Sequence, residues 1–215
     1  MHWLHGPTIV IIALFFAPRW VLFGSRFQMV SASLYRLFFL VMIADLVTII
    51  FFLWLAHAGS FFLLLPIPWG LGITAFSLFS LRWCPTISLK KTMDMRTAFI
   101  MGCAQGIALL PGISRFGFTY VIARWLGYAS RAAFELSFLI EWPLLCIAFI
   151  QSTIALQAII PPEFLHLGLL LAMIAASIGA WYGLFFVNYL VCTNRIWWFS
   201  LYLPIPILLW CYVIR

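Results

Sequence analysis

The chain has 215 residues, of which 66% are hydrophobic and 8% charged, with 12 Lys+Arg against 5 Asp+Glu. An average soluble domain carries roughly 45–50% apolar and 25% charged residues, so this chain has too little polar surface to cover a water-facing fold. A soluble enzyme and a nucleic-acid-binding domain are both excluded. The excess of +7 lies mostly between apolar runs, where the positive-inside bias of membrane proteins accounts for it.

Spans follow from length. A hydrocarbon core of about 30 Å needs about 20 helical residues. In chain order, the first candidate covers about 7–23 and is cut short by Pro18 and Arg19. Met1–His5 has no Lys or Arg and no small-residue cleavage site, so it reads as part of this span rather than as a signal peptide. Runs at about 37–56 and 60–81 follow, then 132–158, 165–190 and 196–213. Between 81 and 132 the pattern changes. The apolar run 97–110 reaches only about 21 Å and stops at Pro111-Gly112, a strong turn signal. A second short helical stretch runs to Leu126 and Gly127. Two half-length helices around a Pro-Gly turn predict a re-entrant hairpin over 97–127.

The basic residues orient this layout. Arg19, Arg26 and Arg36 share one connection, and Arg82, Lys90, Lys91 and Arg96 share another two spans later. Arg124, Arg131 and Arg195 return to the same side, which leaves only Arg115 and Arg215 elsewhere and puts the N-terminus outside. The expected architecture is all-α: a polytopic membrane protein with about six transmembrane helices plus one re-entrant helical hairpin. Residues 1–95 would form an incomplete first repeat of three spans, and 96–215 a second repeat of hairpin plus three spans, in inverted orientation.

The hairpin tip, Leu110 to Thr119, carries the chemistry. Arg115 offers a planar fork that matches phosphate oxygens, Ser114 and Thr119 add hydroxyls, and a helix start adds backbone N–H donors. Gly112 and Gly117 let the backbone approach an anion. The reading is an oxyanion site, phosphate foremost, reached from within a membrane; the plainer alternative is an Arg115 that snorkels from an interfacial turn.

Gly102-Cys103-Ala104-Gln105-Gly106-Ile107-Ala108-Leu109-Leu110-Pro111-Gly112-Ile113-Ser114-Arg115-Phe116-Gly117-Phe118-Thr119, with Gly127, Ser137-Phe138-Leu139 and Pro143, resembles the second signature of the undecaprenyl-diphosphate phosphatase family, the bacitracin-resistance type. Met95-Arg96-Thr97-Ala98-Phe99 is similar to the family's approach to this segment. The resemblance implies a hydrolase acting on a phosphorus-containing anhydride. Its reaction would convert undecaprenyl (C55 polyprenyl) diphosphate to the monophosphate and inorganic phosphate, recycling the lipid carrier for cell-wall peptidoglycan synthesis in the bacterial inner membrane.

By position, Ser114 and Arg115 would be catalytic and hold the diphosphate together with Gly112, Gly117 and Thr119, while Gln105 would face the same cavity. A divalent cation, Mg²⁺ or Ca²⁺, is implied by the resemblance alone, with no ligands assigned. Two departures stand out. Phe116 replaces a serine of the family's Ser-Arg-Ser-Gly, and the first signature, Glu-x-x-x-Glu with a Pro-Val-Ser-Ser-Thr segment and a His, is absent. The expectation is either a start upstream of Met1 or a shortened relative with altered or lost catalysis. The reading beside hydrolysis is a non-catalytic polyprenyl-phosphate binder or transporter.

Other residues divide by setting. Asp45 lies mid-span, where an ionisable group is a functional candidate or one half of an interhelical hydrogen bond. Glu141, beside Trp142 and Pro143, is placed to supply a carboxylate near the hairpin. His57 with Gly59 reads as an outer loop near a headgroup, and Glu135 as a helical ion pair with Arg131. His2, His5 and His166 and the pair Trp197-Trp198 read as interfacial residues, and the Arg82–Arg96 cluster as a topology determinant with a second role in anionic-lipid contact. The five cysteines show no metal-ligand spacing.

Overall fold

The computed structural model describes residues 8–16, 27–58, 66–85, 90, 92–157 and 167–213. His2, His5, His166, Arg19, Arg26, Lys91, Arg215 and the turn at 161–164 lie outside these residues. The described chain is helical, with no strand among the described residues beyond a single bridge between Lys90 and Tyr128. In order, the helices are α1 (8–16), α2 (Phe27–Ala58), α3 (Ile67–Ser80), α4 (Met95–Ile107), α5 (Arg115–Trp125), α6 (Ser130–Gln157), α7 (Leu167–Cys192), α8 (Phe199–Tyr202) and α9 (Pro204–Val213). Short 3-10 turns at Leu81–Trp83 and Ile196–Trp198 lead out of α3 and into α8.

Among the described residues, three segments are long and apolar enough to cross a membrane: Tyr35–Leu55, Ser130–Gln151 and Leu171–Cys192. They fall on three of the expected runs, and this is a membrane protein. The expected run 60–81 is represented by the 14 residues of α3, which begin just after Pro66, and 7–23 by α1. α2 shows how such a helix is used. Leu40, Val41, Ala44, Asp45, Thr48 and Leu55 are buried along one stripe, while Phe38, Phe39, Met42, Leu46, Ile50 and Trp54 face outward. Lipid tails are as apolar as these side chains, so the buried stripe is held by close packing and polar contacts rather than by escape from water.

The chain forms two compact units. One gathers Met1–Tyr35 and Trp142–Val187; within it the Phe15 ring packs edge-on against Phe185 at 5.4 Å. The other gathers Arg36–Glu141 and Asn188–Arg215 and contains the predicted hairpin.

In that second unit α4 buries a broad face, Thr97, Ala98, Met101, Gly102, Ala104, Gln105 and Gly106, while Met95 and Phe99 point outward. Small residues allow this: a Cβ on Gly102 would lie 2.5 Å from the Ala44 carbonyl oxygen, and one on Gly106 would lie 2.6 Å from the Phe51 ring. α4 starts at Asp94, whose carboxylate accepts from the Thr97 N–H at 2.9 Å and from Lys90 Nζ at 3.0 Å. The Thr97 hydroxyl also donates to Asp94 and accepts from Lys90 Nζ at 2.7 Å. Hydrogen bonds from Thr97 and Lys90 hold the Asp94 carboxyl well below the usual carboxylate range.

Candidate functional site: the N-terminus of α5

α4 ends at Ile107 and α5 begins at Arg115, and the two helices pack against each other across a turn through Leu110, Pro111 and Gly112. Gly112 takes φ +82°, a conformation that side-chain-bearing residues rarely adopt. A Cβ there would stand 2.3 Å from the Ile67 carbonyl oxygen, and a Cβ on Gly70 would stand 2.1 Å from the Pro111 carbonyl oxygen. The turn is therefore seated directly on the first turns of α3. Thr74, buried in α3, completes the seat: its hydroxyl accepts from the Ser114 N–H at 3.0 Å and donates to the Gly70 carbonyl at 3.0 Å.

Ser114 is the N-cap of α5, with extended backbone and its Oγ accepting from the Gly117 N–H at 3.1 Å. Gly117 leaves room for this bond, since a Cβ there would stand 3.0 Å from that Oγ. The cap satisfies one of the orphan donors of the first turn. Among the described residues nothing accepts from the N–H groups of Arg115 and Phe116. Two free N–H groups and the positive end of a helix, beside a guanidinium and an exposed hydroxyl, form a surface for anionic oxygen.

Arg115 Nε lies 3.5 Å from Glu141 Oε1, and the two side chains are 26% and 13% exposed. That separation is longer than the 2.7–2.9 Å or so of a tight charge-assisted hydrogen bond, so the guanidinium is attracted but not clamped. Phe116, the aromatic in place of a hydroxyl, packs its ring against Phe138 at 4.7 Å, Phe134 at 5.7 Å and Tyr120 at 5.9 Å, joining α5 to α6. Thr119 is buried and turns its hydroxyl back onto the Arg115 and Phe116 carbonyls at 2.8 and 3.2 Å.

Gln105 goes elsewhere. It is fully buried, donating from Nε2 to the Ile140 carbonyl at 3.0 Å and accepting at Oε1 from the Thr48 hydroxyl at 3.1 Å. Thr48 shares its single proton with the Ala44 and Gly102 carbonyls at 2.9 and 3.0 Å. This network ties α2, α4 and α6 together. Asp45 lies one turn before Thr48, with both carboxylate oxygens buried and without a hydrogen-bond partner among the described residues. His57 is exposed in the last turn of α2 and takes no part in the contacts around Ser114.

The structure thus gathers Gly112, Ser114, Arg115, Gly117 and Glu141 at one helix start, turns the Thr119 hydroxyl back onto α5 itself, and leaves Gln105, Asp45 and His57 in other settings. Thr74 and Gly70 are the residues that inspection of the motif missed. Their signal is faint: a glycine and a threonine four apart in an otherwise apolar helix. Among the described residues no group of three His, Cys, Asp or Glu could hold a metal ion, and the carboxylate beside the α5 start already faces Arg115. These donors do not make a cage for a divalent cation.

Comparison with known proteins extends over most of the chain. The family model described as bacitracin resistance protein BacA matches residues 2–206, and the chain belongs to that family. It is 35% identical over 156 residues to an undecaprenyl-diphosphatase of Rhodopseudomonas palustris (strain BisB18), an alignment that covers 67% of this chain and 55% of the relative. An undecaprenyl-diphosphatase of Korarchaeum cryptofilum is 36% identical over 135 residues, covering 62% of this chain and 48% of the relative. One from Bifidobacterium longum subsp. infantis is 50% identical over 57 residues, 25% of this chain and 19% of the relative. The chain spans about half the length of the curated relatives it matches.

Proposed function

We propose that this chain acts on undecaprenyl (C55 polyprenyl) diphosphate, hydrolysing it to the monophosphate and inorganic phosphate at the N-terminus of α5. The observation that carries the reading is the convergence at one capped helix start of the Arg115 guanidinium, the Ser114 hydroxyl and two N–H groups without acceptors. Relatives named undecaprenyl-diphosphatase support it. A diphosphate brings several anionic oxygens, and its cleavage moves further charge onto the bridging oxygen. Positioned donors in a poorly hydrated site stabilise that charge.

In this reading Arg115 turns from Glu141 to the phosphoryl oxygens, and the free N–H groups hold the terminal phosphate. A water attacks the terminal phosphorus, the bond to the bridging oxygen breaks, and the lipid leaves as monophosphate. Glu141, released by Arg115, accepts the proton of the attacking water. Mg²⁺ or Ca²⁺ enters as an assay condition suggested by the family resemblance.

The same proposal places the protein in the bacterial inner membrane with about six spans and its N-terminus outside. The α4–α5 pair re-enters from the basic side, within two inverted repeats at 1–95 and 96–215. The decisive experiment is phosphate release from C55 polyprenyl diphosphate by the full chain in detergent, with and without Mg²⁺ or Ca²⁺, beside Arg115→Ala. Release that vanishes in the variant supports hydrolysis. Retained diphosphate binding without release would establish the second reading, a polyprenyl-phosphate binder or transporter.

A further inference from the structure

α5 has a second polar end. Arg124 lies nine residues beyond Arg115, about 13 Å along the helix axis, and is 6% exposed. Its Nη1 donates to the Tyr128 carbonyl at 2.6 Å and its Nη2 to the Pro85 carbonyl at 3.0 Å. Those bonds use two of its five N–H donors. Carbonyl dipoles offset only part of a full charge, and no carboxylate pairs with Arg124 among the described residues. An unpaired buried cation is costly, and an anion beside it would relieve that cost.

A cavity of about 120 Å³ opens on this guanidinium, lined chiefly by Arg82, Tyr120, Arg124, Ser130, Asn194 and Trp197. No acid lines it. Arg82 is exposed, with its guanidinium 5.5 Å from the centre of the Trp197 ring, so a second cation stands at the rim. Ser130 and Asn194 meet there through a hydrogen bond between their side chains. Cys84 supplies no counter-charge: burial pushes its thiol up despite the nearby Arg124. The same end of the unit holds Arg195, whose guanidinium lies 5.6 Å from the Trp198 ring centre, while the Lys90 charge there is balanced by Asp94 at 3.0 Å. Such a field draws in anions.

Size narrows the ligand. Drug-sized molecules occupy pockets of about 300 Å³ or more, so this space suits one compact group and not a nucleotide. Two guanidinium groups with the Asn194 amide N–H, whose Oδ1 already accepts from Ser130, match tetrahedral anionic oxygen. We propose that the Arg82–Arg124 cavity is a second anion site, separate from the Ser114–Arg115 site, that takes one phosphate group, either free inorganic phosphate or the phosphodiester headgroup of an anionic lipid.

The test uses the full chain in a neutral maltoside detergent. Inorganic phosphate and, separately, short-chain phosphatidylglycerol are titrated while thermal unfolding is followed, with diacylglycerol as the uncharged control. Saturable stabilisation by phosphate that persists in Arg115→Ala identifies the free anion, and by phosphatidylglycerol alone the headgroup; either supports the site. Arg82→Gln, which disturbs no backbone bond, should weaken that binding about tenfold or more while the unliganded unfolding temperature holds. Arg124→Gln should abolish the binding, and Arg115→Ala should leave it intact. Because Arg124 also braces two carbonyls, Arg82→Gln decides the matter if Arg124→Gln fails to fold. No saturable effect from either probe, or binding lost in Arg115→Ala and unchanged in Arg82→Gln, overturns the proposal.

Discussion

Arg115 and Glu141 face each other at 3.5 Å across the start of α5 and the middle of α6, 26 positions apart in sequence. Removing one partner of a partly buried pair strands the other, whereas removing both does not. Arg115→Ala should therefore lower stability by about 2–4 kcal/mol, and Arg115→Ala with Glu141→Ala should recover part of that loss. Thermal unfolding of the four members of the cycle measures the coupling. A coupling near zero would show that the two side chains do not depend on each other.

Glu141→Gln separates holding from cleaving. Neutralising Glu141 removes the competitor for the Arg115 guanidinium, so diphosphate binding should tighten. The group proposed to take the water's proton is lost in the same variant, so phosphate release should fall about 100-fold or more. Binding and release measured on one preparation check both directions, and a parallel fall in both would assign Glu141 to folding alone.

Gln105 and Thr48 offer a purely structural test. Gln105→Ala leaves the Ile140 carbonyl and the Thr48 hydroxyl with one partner fewer, at a cost of about 1–2 kcal/mol in a membrane setting. Thr48→Val should cost less, because its hydroxyl donates a single proton shared among three acceptors. Unfolding temperatures in detergent should rank wild type above Thr48→Val and Thr48→Val above Gln105→Ala.

What the sequence reveals tracks the range of the interaction. Local features are legible: Ser114 before a helix start, the Pro111-Gly112 turn, and Arg131 with Glu135 four residues apart at 3.5 Å. Gln105 is a different case. The resemblance puts it in the cavity of the motif, yet its bonds run to residues 35 and 57 positions away, and no helical period carries that information. Thr74 reaches Ser114 across 40 positions, and Arg124 reaches Pro85 across 39. As one basic residue among twelve, Arg124 signals only an orientation; its burial follows from the packing of the Leu81–Trp83 and Ile196–Trp198 turns about the same space. Chain pattern shows which faces are apolar, but not which polar group closes onto which.

The cap of α4 should be visible in pH dependence. Asp94 is held below its ordinary value of 3.8 by hydrogen bonds from Thr97 and Lys90, so its folded form favours the carboxylate. A depressed carboxyl contributes stability that is fully present above the unfolded value, and that contribution fades as pH falls through the folded value. The unfolding temperature of the wild type should therefore hold down to about pH 4 and drop below it. Asp94→Ala should start about 1 kcal/mol lower, from the lost cap, and the gap between the two proteins should narrow as the solution is acidified. A gap that widened on acidification would reverse the assigned direction.

The seat of the turn on α3 makes a sharper claim, because two glycines and a control lie close to it. Gly70→Ala drives a methyl to 2.1 Å from the Pro111 carbonyl oxygen, and Gly112→Ala adds a strained φ of +82° to a 2.3 Å approach to the Ile67 carbonyl oxygen. Backbone cannot rotate aside as a side chain can, so each change should cost about 2–4 kcal/mol, with Gly112→Ala the worse. Gly72, two residues from Gly70 on the same helix, has nothing within 4 Å of the point where a Cβ would stand. Gly72→Ala should therefore be neutral or stabilise by up to about 1 kcal/mol through helix propensity. Since the seat also fixes the Ser114 N–H on Thr74, Gly70→Ala should weaken diphosphate binding and Gly72→Ala should not. Unfolding and binding measured across the three alanine variants check this ordering, and equal behaviour of Gly70→Ala and Gly72→Ala would separate the turn from α3.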